Sequence, residues 1–454
     1  MKKPNSKTAK LLEGPVMRGL IAISITIIFA NILQTVYQLI DTFWVGRLGT
    51  EAVAAVSLSF PILFFLTSLA MGFATGGGIL VAQYNGKGDK KNVSRTAGQT
   101  FSLVTIIAIV LSTIGFFSSA FLLSFLTKDP LVLGPATDYL RILFLAMPML
   151  FISVIYQSTL RGVGEVKFPM IVILISVVIN FIIDPLFMFG WKFIPAMGVS
   201  GVALATLITE SLSGLIAIIA ISIGLFDFKI SLRDLVPKKV WIKKLFALGL
   251  PSSLEMSSRS FGMVLMTVVV STLGTFVIAV YGIGTKILSF IIIPGIGFSI
   301  ATSVMVGNSL GAGQMTRAKH IVKAGLKIGF WSLLVLGVIL FVFAKHISAF
   351  FVPNEPELII ESALFIRMMA LTFGFIGIQM VIIGALKAAG KTTTSMLLAM
   401  FNTFILFVMS YMLSIIFGLG QLGIWIAYPI ANISAFFLAW YFYTRKDWLE
   451  KKLI

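Results

Sequence analysis

Long apolar segments recur from one end of the chain to the other, separated by short polar connections. They lie at about 16–41, 52–76, 95–126, 133–160, 168–190, 198–225, 245–272, 279–307, 322–350, 360–386, 393–417 and 421–443. Each reaches the roughly 20 residues that a helix needs to cross the hydrocarbon of a bilayer. A spanning segment must satisfy its backbone polar groups internally, and the pattern does not alternate in the ten-residue stretches of a barrel. The predicted fold is therefore all-α and integral to the membrane, with twelve transmembrane helices.

Several of these helices are not apolar all round. Residues 31–41 read NILQTVYQLID, and Asn31, Gln34, Tyr37, Gln38 and Asp41 fall on one helical face. Hydrocarbon does not tolerate such a stripe, so something other than lipid must face it. A second stripe runs through the fifth helix as Ser176, Asn180 and Asp184. A third runs through the sixth as Thr206, Glu210 and Ser213.

Charge orients the bundle. Of 35 lysines and arginines, twenty-six lie in the termini and the even-numbered connections, and four in the odd-numbered ones. By the positive-inside rule, both termini are expected in the cytoplasm and the chain in the inner (cytoplasmic) membrane as a multi-pass protein. The net charge of +18 then reflects topology and contact with anionic lipid, not nucleic acid. With 0 Cys and 2 His, neither a disulfide framework nor a His/Cys metal site is expected.

The sequence also repeats itself. Leu48-Gly49-Thr50 returns as Leu273-Gly274-Thr275, and Gly86-Lys87-Gly88 returns as Gly311-Ala312-Gly313, both at the same interval. Pro130 matches Pro356, Arg141 matches Arg367, Leu160-Arg161 matches Leu386-Lys387 and Gly164 matches Gly390, all at an interval one position longer. Six helices per copy means that both copies start from the same side. Two six-helix lobes are expected, related by a pseudo-two-fold axis along the membrane normal. The boundaries fall at 1–225, a basic cytoplasmic linker at 226–244, and 245–454. The repeat also disposes of a decoy: ALKAAGKT at 385–392 is one residue short of a P-loop, follows an apolar helix instead of a strand, and has no GK[ST] in its partner LRGVGEVK.

Asp41, Asp184, Glu210 and Glu255 are acids that fall inside apolar spans. An ionisable group at that depth costs about 2.5–3.5 kcal/mol or more, so it faces a cavity or a partner. The first three belong to the stripes of the first lobe. The second lobe does not copy them: the partners of Asp41, Asn180 and Asp184 are Met266, Leu406 and Ser410. A structural role would be copied; the asymmetry favours a proton or cation site in the first lobe. Two close carboxylates in low dielectric cannot both stay ionised cheaply. Such a pair can load and release a proton, or hold Na⁺ with Asn and Thr oxygens completing the shell. Competing structural roles are an exit cap for Asp41, a helix end before Pro185 for Asp184, and an ion pair with an in-membrane arginine for Glu210. Glu255 has Arg259 one turn later, the spacing of an internal ion pair, with a second cation site as the alternative. The repeat-related Arg141 and Arg367 point to a shared structural role.

The chain resembles the multidrug and toxic compound extrusion (MATE) transporters. The resemblance is carried by LIDTFWVGRLGTEAVAAVSLSFPI at 39–62, YLRILFLAMP at 139–148, LRGVGEVKFPM at 160–170, INFIIDPLFMFG at 179–190 and MGVSGVALAT at 197–206. LGTFVIAVYGIG at 273–284 and GNSLGAGQMTRA at 307–318 carry it in the second lobe. It implies a cofactor-free antiporter, not an enzyme, that exports organic cations in exchange for H⁺ or Na⁺ by alternating access. Its expected partners are small-molecule drugs and the lipid bilayer, and it is expected to act as a monomer. In prokaryotic members the cation site matches Tyr37, Asp41, Asn180, Asp184 and Thr206 here, with Gln34, Tyr139 and Glu210 as candidates to line the substrate cavity. A proline common midway along helix 1 is Thr26 in this chain, while its repeat partner Pro251 keeps it. Some relatives place the cation in the second lobe with a helix-7 Glu, matched by Glu255, and a helix-10 Asp, which has no match. A lipid-linked oligosaccharide flippase would need a cationic cavity, and a membrane enzyme an acid/base or metal constellation at the interface; the pattern offers neither.

Overall fold

The structure, a computed structural model, describes residues 6–226 and 228–449. Its transmembrane helices are α1 (Val16–Val45), α2 (Thr50–Gly86), α3 (Lys90–Ser124), α4 (Pro130–Gly162), α5 (Lys167–Phe189) and α6 (Val199–Ser222), followed by α7 (Lys239–Ser271), α8 (Thr275–Gly311) and α9 (Met315–Phe351). Then come α10 (Pro356–Ala370 and Phe373–Ala388), α11 (Thr392–Tyr411, continued by a π-helical turn at Met412–Ile416) and α12 (Gln421–Thr444). Short helices at Ser6–Glu13 and Leu232–Leu235 lead into α1 and α7.

Ten of these helices are long and apolar enough to cross a membrane, or eleven if the two pieces of α10, bent by 50°, count as one span. The predicted span at 245–272 forms as α7 but fails on composition. Its segment PSSLEMSSRS carries five serines, Glu255 and Arg259, a polarity that only protein neighbours can absorb. At the bend in α10 the Met369 carbonyl accepts both the Thr372 hydroxyl at 2.9 Å and the Thr372 backbone N–H at 3.0 Å.

Packing divides the chain into two compact units. One runs Phe29–Ser253; the other joins Thr8–Ile28 to the residues from Leu254 onward. The breaks fall inside α1 and α7, at positions that the sequence repeat makes equivalent. Within the first unit, a side chain at Gly72 would collide with the backbone of Ser253; within the second, one at Gly297 would collide with Ile28. Glycine matches glycine and Ser253 matches Ile28 under the repeat, and in both pairs the glycine is what lets two helices press together. The turns repeat as well. Gly49 and Gly274 precede α2 and α8 with φ of 107° and 99°, a conformation closed to ordinary residues. Even a contact recurs: Arg141 lies 5.7 Å over the Phe116 ring and Arg367 lies 5.8 Å over the Phe341 ring.

Candidate cation and substrate site

The first unit gathers the three polar stripes. Asp41 lies a full turn inside α1, which runs on to Val45, and Asp184 lies inside α5, which continues through Pro185 to Phe189. Neither acid caps a helix end. The Asp41 carboxyl neighbours the Asp184 carboxyl and the Asn180 amide. Asn180 and Asp184 are both 0% exposed, and the Asn180 amide donates to Asp184 Oδ1 at 2.9 Å. Asp41 Oδ1, Asp184 Oδ2 and Asn180 Oδ1 are buried oxygens to which no group among the described residues donates. Three acceptors in search of positive charge are what a proton or a small cation would satisfy. Among the described residues, however, no group of three or more His, Cys, Asp or Glu converges closely enough to hold a metal ion. A cation here would rely on the acid pair together with neutral oxygens.

Tyr139, buried at 6%, packs next to Asp41 and Asp184. Tyr37 sits one turn before Asp41, and its hydroxyl is 2.7 Å from that of Thr209. Thr206 is within reach of the same tyrosine, and Asp41 and Glu210 are its charged neighbours. Thr209 is thus a partner that the sequence reading missed. It lies one turn past Ala205 and bonds that carbonyl as well, and only its position beside Tyr37 distinguishes it from Thr206.

Beside this cluster lies a narrow cavity, partly open to the outside. Gln34 and Tyr37 of α1 line it, with Ser153, Tyr156 and Gln157 of α4. Pro169, Val172, Ile173 and Ser176 of α5 and Glu210 and Ser213 of α6 complete the wall. Gln34 and Glu210 are on this wall; Tyr139 is not among its lining residues and lies near Asp41 and Asp184. Among the described residues, no arginine or lysine lines the cavity, and no salt bridge includes Glu210.

Glu255, in the second unit, has a different environment. It is 2% exposed, and Arg259 approaches it at 3.6 Å as the spacing predicts. The closer partner is Lys387 of α10, whose ammonium donates to Glu255 Oε1 at 2.9 Å. By sequence Lys387 counts among the loop cations; its four-carbon stem carries the charge back into the bundle.

Comparison with known proteins agrees with this architecture. The MatE family model matches residues 26–186 and again 251–412, two stretches separated by the interval of the internal repeat. The chain belongs to the MatE family, and it is a multi-pass membrane transporter and not an enzyme. It is 28% identical over 452 residues to the "Probable multidrug resistance protein YoeA" of Bacillus subtilis, covering 98% of this chain and 97% of that one. It is 28% identical over 451 residues to the "Probable multidrug resistance protein YpnP" of the same organism, covering 98% and 99%. A solved crystal structure of MATE in complex with MaL6 superposes with a TM-score of 0.92 at 25% identity, over 99% of this chain and 100% of that one. The twelve-helix, two-lobe fold expected from the sequence is the fold of these transporters.

Proposed function

We propose that this chain is a secondary-active multidrug exporter, exchanging organic cations for H⁺ or Na⁺ by alternating access. The observation that carries the reading is the apposition of Asp41, Asp184 and Asn180 with acceptor oxygens that no protein group satisfies. An ion that loads there cancels charge that would otherwise attract an organic cation, so loading and drug release are coupled through one electrostatic balance. The cavity beside it offers tyrosine rings and aliphatic side chains for a lipophilic body, and Glu210 for its charge. A cavity without lysine or arginine on its wall suits a cation and not a lipid-linked phosphate. The multidrug-resistance names of the relatives at 28% identity support the same substrate class. The excess of basic residues at the termini and even-numbered connections supports an orientation with both termini cytoplasmic.

Ethidium accumulation in inverted vesicles, where export runs inward, driven by a pH gradient or a Na⁺ gradient imposed separately, tests the proposal. Wild type is expected to respond to one or both, and Asp41→Asn to neither. Full gradient-driven efflux by Asp41→Asn would overturn it.

A further inference from the structure

The cavity wall contains one carboxylate that the acid pair does not need. On the reading that Asp41 and Asp184 load the coupling ion, we propose that this ion is a proton and that it leaves through Glu210 and the polar cavity.

The geometry sets the route. The acid pair lies toward one end of the first unit's helices. The cavity's α4 residues lie within the last ten before Gly162, and its α5 residues within the first ten from Lys167. Ser176 is two turns before Asp184, about 12 Å along the helix. The cavity therefore extends from the acid pair toward the turn joining α4 and α5. Tyr37 and Glu210 stand at the near end, each an electrostatic neighbour of Asp41.

The lining has the chemistry of a proton path. Five hydroxyls face the cavity, and Ser176 and Ser213 are 2.6 Å apart. The hydroxyls of Ser153 and Tyr156 are buried with no protein partner. Buried polar groups are satisfied by water where protein does not reach them, so these two call for water in the cavity. Hydroxyls and water relay a proton; a carboxylate such as Glu210 can also hold it.

The transfer is balanced. An O–H bond of the loaded acid pair breaks, and a water or the Tyr37 hydroxyl takes up that proton while giving up another. The Glu210 carboxylate forms the new O–H bond and later yields the proton to cavity water. The charged groups around Glu210 are few. Asp41 faces it from α1. On α4 there is Arg161, behind Gln157, to which it donates at 3.0 Å. Glu165 follows in the α4–α5 turn, beside Tyr156. The cavity residues of α5 and the rest of those on α6 are neutral. Among the described residues, no salt bridge includes Glu210.

The test is proton release from purified transporter in weakly buffered detergent, followed with a pH indicator on adding ethidium, alongside equilibrium ethidium binding. Glu210→Gln is expected to slow release, measured per ethidium bound, about tenfold or more, and Glu210→Asp to restore the rate. Wild-type release by Glu210→Gln overturns the relay. So does wild-type efflux that responds to Na⁺ alone with no proton released, an outcome that leaves the antiport reading intact. If Glu210→Gln does not fold, normal release and transport by Glu210→Ser, a neutral residue of the kind already lining the wall, would equally overturn it. Loss of release restored by Glu210→Asp supports it. Failure of the parent reading is separate: it appears as full activity in Asp41→Asn.

Discussion

One scaffold, built twice, carries an acidic cluster in one copy and a neutral one in the other. Asp41, Asn180 and Asp184 stand where the second copy has Met266, Leu406 and Ser410. Gly198 and Gly420 open α6 and α12 with the same backbone angles, φ 57° with ψ −131° and −134°. Counting from those glycines, Thr206 and Glu210 correspond to Tyr428 and Asn432. The second cluster largely answers itself. The Tyr428 hydroxyl donates to that of Tyr281 at 3.0 Å. Asn432 donates to Thr372 at 3.1 Å, and Asn402 to the Ala431 carbonyl at 3.3 Å. Ser410 keeps an unpartnered hydroxyl, but no charge. The fold, then, does not require the acids. The first copy holds three carboxyls without a described basic partner, each costing several kcal/mol, and that expense goes with transport chemistry and not with architecture.

The sharpest way to break the comparison is to write one copy into the other. Asp184→Ser gives the first lobe the residue of the second. It removes one carboxyl of the pair and strands the Asn180 amide. Gradient-driven ethidium efflux is expected to fall about 100-fold or more. Ser410→Ala, at the matching position, is expected to change it by less than about twofold. Comparable losses in both variants would mean that the lobes share the work and that the asymmetry is incidental.

The second contrast concerns how each lobe handles a buried acid. The first leaves Asp41 and Asp184 together; the second gives Glu255 a built-in cation. Lys387→Met removes the 2.9 Å partner and leaves a carboxylate that is 2% exposed with only Arg259 at 3.6 Å. Breaking a buried pair from one side costs about 3–5 kcal/mol. A large drop in thermal unfolding temperature is expected for the single variant, with recovery in Glu255→Gln/Lys387→Met. Unchanged stability in the single variant would mean that Glu255 finds another counter-charge and is not neutralised by this pair.

The sequence discloses these features unevenly, for physical reasons. Apolar length and the basic bias report the solvent, so the spans could be read from them; polar spacing of three and four reports a helix face, so the stripes of α1, α5 and α6 could be too. That the three faces converge was only implied, by the cost of leaving any of them in lipid. Lys387 escaped because a lysine's charge sits several bonds from its Cα, and a loop position does not fix where the ammonium goes. Thr209 escaped because Thr206 and Thr209 share one helical face, and only the Tyr37 ring decides between them. Tyr139 is expected in the cavity wall from the resemblance alone; how deeply it is buried is a property of packing. Asp184 invited a helix-end reading through Pro185, yet α5 carries on, because a proline removes only one backbone donor and the bundle tolerates it.

The smallest effect tests the part of the repeat that both lobes keep. Arg141 over Phe116 and Arg367 over Phe341 are the same contact in the two copies. They differ in one bond: Arg367 Nε donates to the Phe341 carbonyl at 3.2 Å, whereas Arg141 Nε is buried without a partner. A cation over a ring contributes about 0.5–1 kcal/mol at a partly exposed site, and a hydrogen bond from a charged group about 1.5–3 kcal/mol. Methionine keeps much of the stem and removes the charge. Arg141→Met is therefore expected to lower stability by about 1 kcal/mol or less, because it also relieves the unsatisfied Nε. Arg367→Met is expected to cost more than Arg141→Met, by about the worth of that bond. Chemical unfolding of the two variants side by side measures the order. If Arg141→Met proves the more damaging, or abolishes efflux while stability holds, then the two arginines are not copies of one structural device. The first would then belong with the acids of its own lobe.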